Sequence, residues 1–372
     1  MSRADGRSLI GRRGGGRAVV DGADMVMLGS NDYLGLSTDP RVIAASRAAL
    51  DVYGTGVGLY PVFAATPLHE ELAASLAAFL GTEAVVLYGS GGAANAGVLT
   101  TLVEAGDVIL SDRLNHASII DGCRLSRADV LAYGNRDVAD LTAALARAAG
   151  ARRRLIITDG IFSMEGGAAP LDAMLALACA HDAMLVVDEA HASGVVGPDG
   201  TGTAPLCGIG NDAPGLVLTG SLSKALGGAS GGFVAGPRDV IERLERTSRG
   251  WIFSMGMTTA NVAAARAAID IVRSDQAPLA RLRANVEILR TALAAQGLGV
   301  HPSDSAILAL AIGDEDRTRS LAAALRARGV YAPAVAYPIV ARGEARLRLQ
   351  VSAAHEPADL ERAAGILADL MA

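Results

Sequence analysis

The sequence predicts an α/β fold: a large domain on an open, mainly parallel sheet, followed by a smaller C-terminal α/β unit. Three observations carry this. Apolar runs of strand length recur between Ala-rich helical segments from residue 84 to residue 235. Those runs are hydrophobic almost throughout, as strands covered on both faces are. Polar clusters fall just past their C-terminal ends, where open α/β sheets bind ligands.

Bulk properties narrow the classes. A chain of 372 residues can bury a sizeable core and divides naturally into two domains. With 51% hydrophobic and 19% charged residues it reads as compact rather than disordered. A formal charge of -6 and 3% aromatics argue against a nucleic-acid partner, and Arg12, Arg13 and Arg17 form only a short basic cluster. No window offers about 18 uninterrupted apolar residues, so no membrane span is expected. The opening residues lack the apolar core of a signal peptide. Cys123, Cys179 and Cys207 are scattered and never in CxxC spacing, which fits a reducing cytoplasm and argues against a zinc site.

In chain order, residues 1–38 read as an N-terminal arm, with a strand-like run at 24–28 and a polar turn, SNDYLGL, at 30–36. Helices are expected at 39–53 and 66–80, the second opening on Thr66, Pro67 and paired Glu70 and Glu71. The large domain is placed at 39–258, its strands at 84–88, 107–111, 155–158, 184–187, 216–218 and 232–235 and its helices at 93–102, 138–148 and 171–181. A helical connection follows at 238–275. The small domain, placed at 259–372, reads as helix 280–296, strand 306–311, helix 317–328, a Pro-bearing stretch at 333–340, strand 345–351 and a helix from Pro357.

The polar clusters carry the chemistry. TGSLSKALGGASGG at 219–232 sets Lys224 just beyond a buried strand, between the hydroxyls of Thr219, Ser221 and Ser223 and a run of glycines. A poorly solvated lysine amine can form a Schiff base with a carbonyl, and the hydroxyls suit a phosphate. Together they point to pyridoxal 5'-phosphate (PLP); an ordinary Gly/Ser turn is the plainer reading of this stretch alone. MLVVDEAHASGVVG at 184–197 delivers Asp188 at a strand tip, fit to hold a pyridine nitrogen protonated, and then His191, in reach of a phenolic oxygen. YGSGGAANAG at 88–97 is a strand, glycine turn and helix start, where the N–H groups of Gly91 and Gly92 suit a phosphate. His116 follows another strand and can stack on a ring or shuttle a proton. Ser163 follows the next. In ARLRLQ, Arg346 and Arg348 share a sheet face, and an inward arginine can clamp a carboxylate bidentately. No cluster calls for a metal.

As a set and in order, SNDYLGL, NHASIIDG (115–122), TDGIFSMEG (158–166), DEAH (188–191), TGSLSKALGG (219–228) and ARLRLQVSAAH (345–355) resemble the α-oxoamine synthases, fold-type I PLP enzymes. The resemblance spans nearly the whole chain and implies a mainly parallel seven-stranded sheet. It implies a reaction in which a small amino acid, alanine or glycine, condenses with an acyl thioester (acyl-CoA or acyl carrier protein) and CO2 leaves. It assigns Lys224 to the covalent cofactor link and proton transfer, Asp188 to the ring nitrogen, His191 to the phenolic oxygen and His116 to stacking. Gly91, Gly92 and Ser221 match phosphate contacts, Ser163 and Thr258 further cofactor contacts, Arg348 the carboxylate clamp and Asn31 a position near the substrates. It further implies a cytoplasmic homodimer with shared active sites, FSMGMTT (253–259) being lent across the interface. Much of the wording is similar to the alanine/pimeloyl-thioester branch, whereas Ala336, Tyr337 and Pro338 are closer to the glycine/acetyl-CoA branch. The usual Gly/Ser/Arg-rich acyl-site loop reads GVGLYPVFAA at 56–65, and Leu59, Tyr60, Pro61 and Phe63 make it bulkier, which implies an altered acyl pocket. A PLP aminotransferase or lyase would share the lysine and the aspartate without needing a thioester.

Overall fold

The apolar runs assemble into one seven-stranded sheet. The structure, a computed structural model, describes residues 8–372, so residues 1–7 of the expected arm lie outside the described residues. Across the sheet the strands run Ala84–Tyr88, Gly232–Gly236, Leu216–Ser221, Ala183–Asp188, Arg154–Asp159, Val108–Asp112 and Asp129–Tyr133. Gly232–Gly236 is antiparallel to both neighbours; the pairings from Leu216–Ser221 out to Asp129–Tyr133 are all parallel. Leu216–Ser221 is buried at every position, which explains the apolar run Leu216–Leu218 in its first half.

Helices returning over the sheet bury Val98, Leu99 and Ile119 against Val86, Ile109, Ile157, Val186 and Val217. Each such side chain taken fully out of water contributes roughly 1.5–3 kcal/mol. Local signals set the helix ends. Ser90 Oγ accepts from the Ala93 N–H at 3.1 Å to start Gly91–Leu102. Asp137 caps Val138–Arg147 in the same way, and Gly81, at φ 74°, closes Pro67–Leu80.

The chain divides into two compact units along lines other than those expected. The larger comprises Pro40–Ser163 and Ala168–Ser274; the smaller comprises the described residues 8–39, Met164–Gly167 and Asp275–Ala372. The boundary expected at 258 falls at 274, because helix Thr259–Ser274 buries Val262, Ala265, Ile269 and Val272 and packs on helices Pro40–Tyr53 and Pro67–Leu80. The arm is not separate either. Strands Ile10–Gly14, Arg17–Val20 and Ala23–Met27 form an antiparallel ribbon that pairs in parallel with Val330–Tyr331. Arg17 Nη1 donates to Asp359 Oδ1 at 2.8 Å, which fastens the ribbon to helix Pro357–Met371. In the smaller unit, Ala345–Gln350 lies between Ile307–Gly313 and Ala334–Val335, antiparallel to both. No helix among the described residues is long and apolar enough to cross a membrane.

Candidate active site

At the C-terminal ends of the parallel strands the larger unit opens a cavity of about 210 Å3. It gathers Gly91, Gly92, His116, Ser163, Asp188, His191, Ser221 and Lys224, residues drawn from five different connections at strand ends, four leading to helices and the one with Ser221 and Lys224 leading to strand Gly232–Gly236. Sequence order scatters them over more than 130 positions; the parallel topology brings them to one rim.

One end of the cavity is built for an anion. Gly91 and Gly92 open helix Gly91–Leu102, where first-turn N–H groups have no intrahelical acceptor and the positive end of the dipole points outward. The hydroxyls of Ser221 and Ser223 lie opposite, 2.7 Å from each other. Bulk is excluded here. A Cβ on Gly91 would stand 3.1 Å from Ser221 Cβ, and one on Gly232 would fall 2.3 Å from the Ser90 carbonyl carbon.

The floor is acidic. Asp159 and Asp188 are register partners at the tips of adjacent strands, each only 5% exposed. Asp188 Oδ1 accepts from the Ala190 N–H at 2.9 Å, and its Oδ2 accepts from Asn95 Nδ2 at 2.7 Å. Asp159 Oδ2 accepts from the His116 N–H at 2.9 Å. Burial, then the charge of Asp188, holds the Asp159 carboxyl well above the usual carboxylate range, while Lys224 acts in the opposite direction. His116 itself is exposed on the rim. Its Nδ1 accepts from the Ser118 N–H at 3.2 Å and lies 2.8 Å from Ser118 Oγ, which leaves the ring proton on Nε2. Lys224 is half-buried in the turn after Leu216–Ser221, and Gly227 and Gly228, at φ 95° and 62°, give that turn its shape.

Glu189, fully buried next to Asp188, accepts from the Thr203 N–H at 2.9 Å. Burial pushes its carboxyl from 4.5 up to about 8. The unfolded chain loses this proton near pH 4.5 and the folded chain only near 8. Stability from this group is therefore fully present below pH 4.5 and is lost as pH rises through about 8. That shift corresponds to several kcal/mol at most. A Glu189→Gln variant is expected to gain stability relative to the parent between about pH 5 and 8. Urea unfolding at a series of pH values reads the difference, and a flat difference would contradict the assignment.

Three predicted residues lie elsewhere. Thr258 lines a second hollow of about 190 Å3, with Leu59 and Pro61 of the 56–65 loop and Met255–Met257. Tyr60 and Phe63 are exposed on that loop and meet edge to face, ring centroids 6.4 Å apart. His69, given no role in sequence, braces the hollow between Thr66 Oγ1 (2.8 Å) and the Met257 carbonyl (3.0 Å).

Arg348 and Asn31 belong to the smaller unit. Arg346 and Arg348 stand opposite Ala311 and Ala309 on the same strand, as the alternation predicts. Their states differ. Arg346 pairs with Glu165 at 2.8 Å, whereas Arg348, 9% exposed, has Nε and Nη2 buried without hydrogen-bond partners. Burial lowers the Arg348 pKa from its ordinary value. The Asn31 side chain accepts from the Tyr33 hydroxyl at 3.3 Å and from Gln350 Nε2.

Sequence reasoning missed Asn95, Asp159 and Glu165. Asn95 and Asp159 each carried a local signal: one is the lone amide in an Ala/Gly helix start, the other a strand-terminal Asp like Asp188.

Comparison with known proteins now adds a decisive observation. The sequence profile described as aminotransferase class I and II matches residues 23–367. The chain belongs to that family. It is also 45% identical to 8-amino-7-oxononanoate synthase of Anaeromyxobacter dehalogenans over 98% of this chain and 91% of that one. With 2-amino-3-ketobutyrate coenzyme A ligase of Escherichia coli it shares 42% identity over 93% of this chain and 87% of that one. Among solved structures, serine palmitoyltransferase from S. paucimobilis with a bound PLP–myriocin aldimine superposes with a TM-score of 0.93 at 30% identity, covering 98% of this chain and 92% of that one. Within the aminotransferase class I and II family, the chain is an α-oxoamine synthase-type member, as the sequence motifs implied.

Proposed function

We propose that this protein uses PLP to condense a small amino acid, alanine or glycine, with an acyl thioester, releasing CO2 and thiol and forming an α-amino ketone. The observation that carries the reading is the single cavity holding an amine (Lys224), a buried carboxylate (Asp188) and an anion cradle (Gly91, Gly92, Ser221). These are the groups that PLP's aldehyde, pyridine nitrogen and phosphate require. The spacing excluded at Gly91 and Gly232 supports the fit. When bound, the cofactor withdraws electron density from the α-carbon of the amino acid.

The chain's own residues do the rest. Lys224 would hold the cofactor's aldehyde through its Nζ, and the same amine would carry the proton of the substrate α-carbon. Asp188 keeps the ring nitrogen charged. His191 would donate toward the phenolic oxygen, His116 would stack on the ring, and Ser163 would add a further contact. Arg348 takes the substrate carboxylate and Asn31 lies near the substrates. Thr258 and its flanking segment serve the site of a second copy, consistent with the exposed Phe253 and Met255 beside it. The bulky Leu59–Phe63 loop favours an acyl group other than pimeloyl.

Purified protein with PLP, given alanine, glycine or serine and a short series of acyl-CoAs, is expected to release free thiol only when both substrates are present. Keto acid formed from amino acid alone, without thiol, would place it with the aminotransferases. Pimeloyl-CoA emerging as clearly the best donor would refute the altered pocket.

A further inference from the structure

One side chain in the cavity floor joins three elements. Asn95, 1% exposed, lies in helix Gly91–Leu102. Its Nδ2 donates to Asp188 Oδ2 at 2.7 Å and to Ser118 Oγ at 3.0 Å, and its Oδ1 accepts from the Thr219 hydroxyl at 2.6 Å. Chemistry fixes which way the amide faces, because the reverse orientation would set its oxygen against a carboxylate. The chain of contacts continues from Ser118 Oγ to His116 Nδ1 at 2.8 Å.

Two carboxyls on adjacent strand tips cannot easily both ionise in a buried setting. Asp159 receives a backbone N–H from His116, whereas Asp188 receives both a backbone N–H and the Asn95 amide. The extra donor favours charge on Asp188. We propose that Asn95 is a positioning residue that makes Asp188 the ionised member of this pair, aims its carboxylate into the cavity and, through Ser118, ties it to the imidazole of His116. The inference rests on the PLP reading of the cavity. The ionisable groups around the amide's position in the cavity are Asp188, Asp159, His116, His191 and Lys224.

The test titrates apoprotein with PLP across about pH 6 to 9, following the visible absorbance of the bound cofactor. Asn95→Ala is expected to weaken binding about tenfold at every pH, the loss of one hydrogen bond to a charged group. Asn95→Asp sets a carboxylate against Asp188. Its binding is expected to be weakest at the alkaline end and to recover in acid, where one of the carboxyls holds a proton. Thr219→Val, which frees the amide to turn, is expected to fall between the parent and Asn95→Ala. A merely structural Asn95 would give Asn95→Asp the same loss at every pH, and that result would overturn the inference, as would parental affinity and spectrum in Asn95→Ala. Should Asn95→Ala not fold, parental affinity in Thr219→Val overturns it equally. A parent protein that refuses PLP would instead sink the reading beneath it, and this inference with it.

Discussion

Lys224→Ala is expected to abolish the covalent hold on the cofactor and to lower turnover by at least ~10^3-fold, since a positioned proton carrier alone contributes roughly 10^2–10^4. The geometry makes this residue hard to replace. Lys224 stands in the turn that follows a fully buried strand, in a cavity whose floor holds Asp159 and Asp188. Lys224 is the only lysine in the sequence. Lys224→Arg is expected to fare no better, because a guanidinium keeps its charge and forms no imine. Borohydride treatment of the PLP-loaded parent should fix the cofactor on the Lys224 peptide, read by mass spectrometry, and should fix nothing in either variant. Label found on another residue, or turnover within tenfold of the parent in Lys224→Ala, would be fatal to the mechanism.

How far the sequence could be read depended on how local each cause was. Strands Ala183–Asp188 and Leu216–Ser221 were legible because burial on both faces writes a continuous apolar run into each, at Met184–Val187 and Leu216–Leu218. Strand Asp129–Tyr133 was not, since it lies at the sheet edge with only Tyr133 fully buried, so its wording stays mixed. Helix Ala117–Leu125 hid inside a motif read for His116 alone. In the site, Lys224 and Asp188 announced themselves by sitting at strand tips. Asn95 stood out only as a lone amide in an Ala/Gly helix start, because its role comes from partners at 118, 188 and 219 that only the fold brings near. The arm's inclusion in the smaller unit was illegible for the same reason: it depends on a two-residue strand more than 300 positions away.

Arg346 and Arg348 show the same limit, and from their difference comes the sharpest test of the smaller unit. Alternation put both on one face and could not rank them. Glu165, 181 positions from Arg346, does so by neutralising that guanidinium and leaving Arg348 buried with two unpartnered nitrogens. A buried charge without a partner weakens the folded state until an anion supplies one. Arg348→Ala is therefore expected to raise KM for the amino acid by about 10^2–10^3 with a much smaller change in kcat, the mark of lost uniform binding. Its unfolding free energy, measured without substrate, should stay level or rise. Glu165→Ala should do the reverse to stability, lowering it by about 1–3 kcal/mol, because it leaves the buried Arg346 guanidinium with only the longer ion pair to Glu344, at 3.5 Å. Arg348→Lys should recover part of the affinity, as a single ammonium replaces a planar fork. If Arg348→Ala lost several kcal/mol of stability while KM held, the residue would be a structural tie rather than the carboxylate's partner.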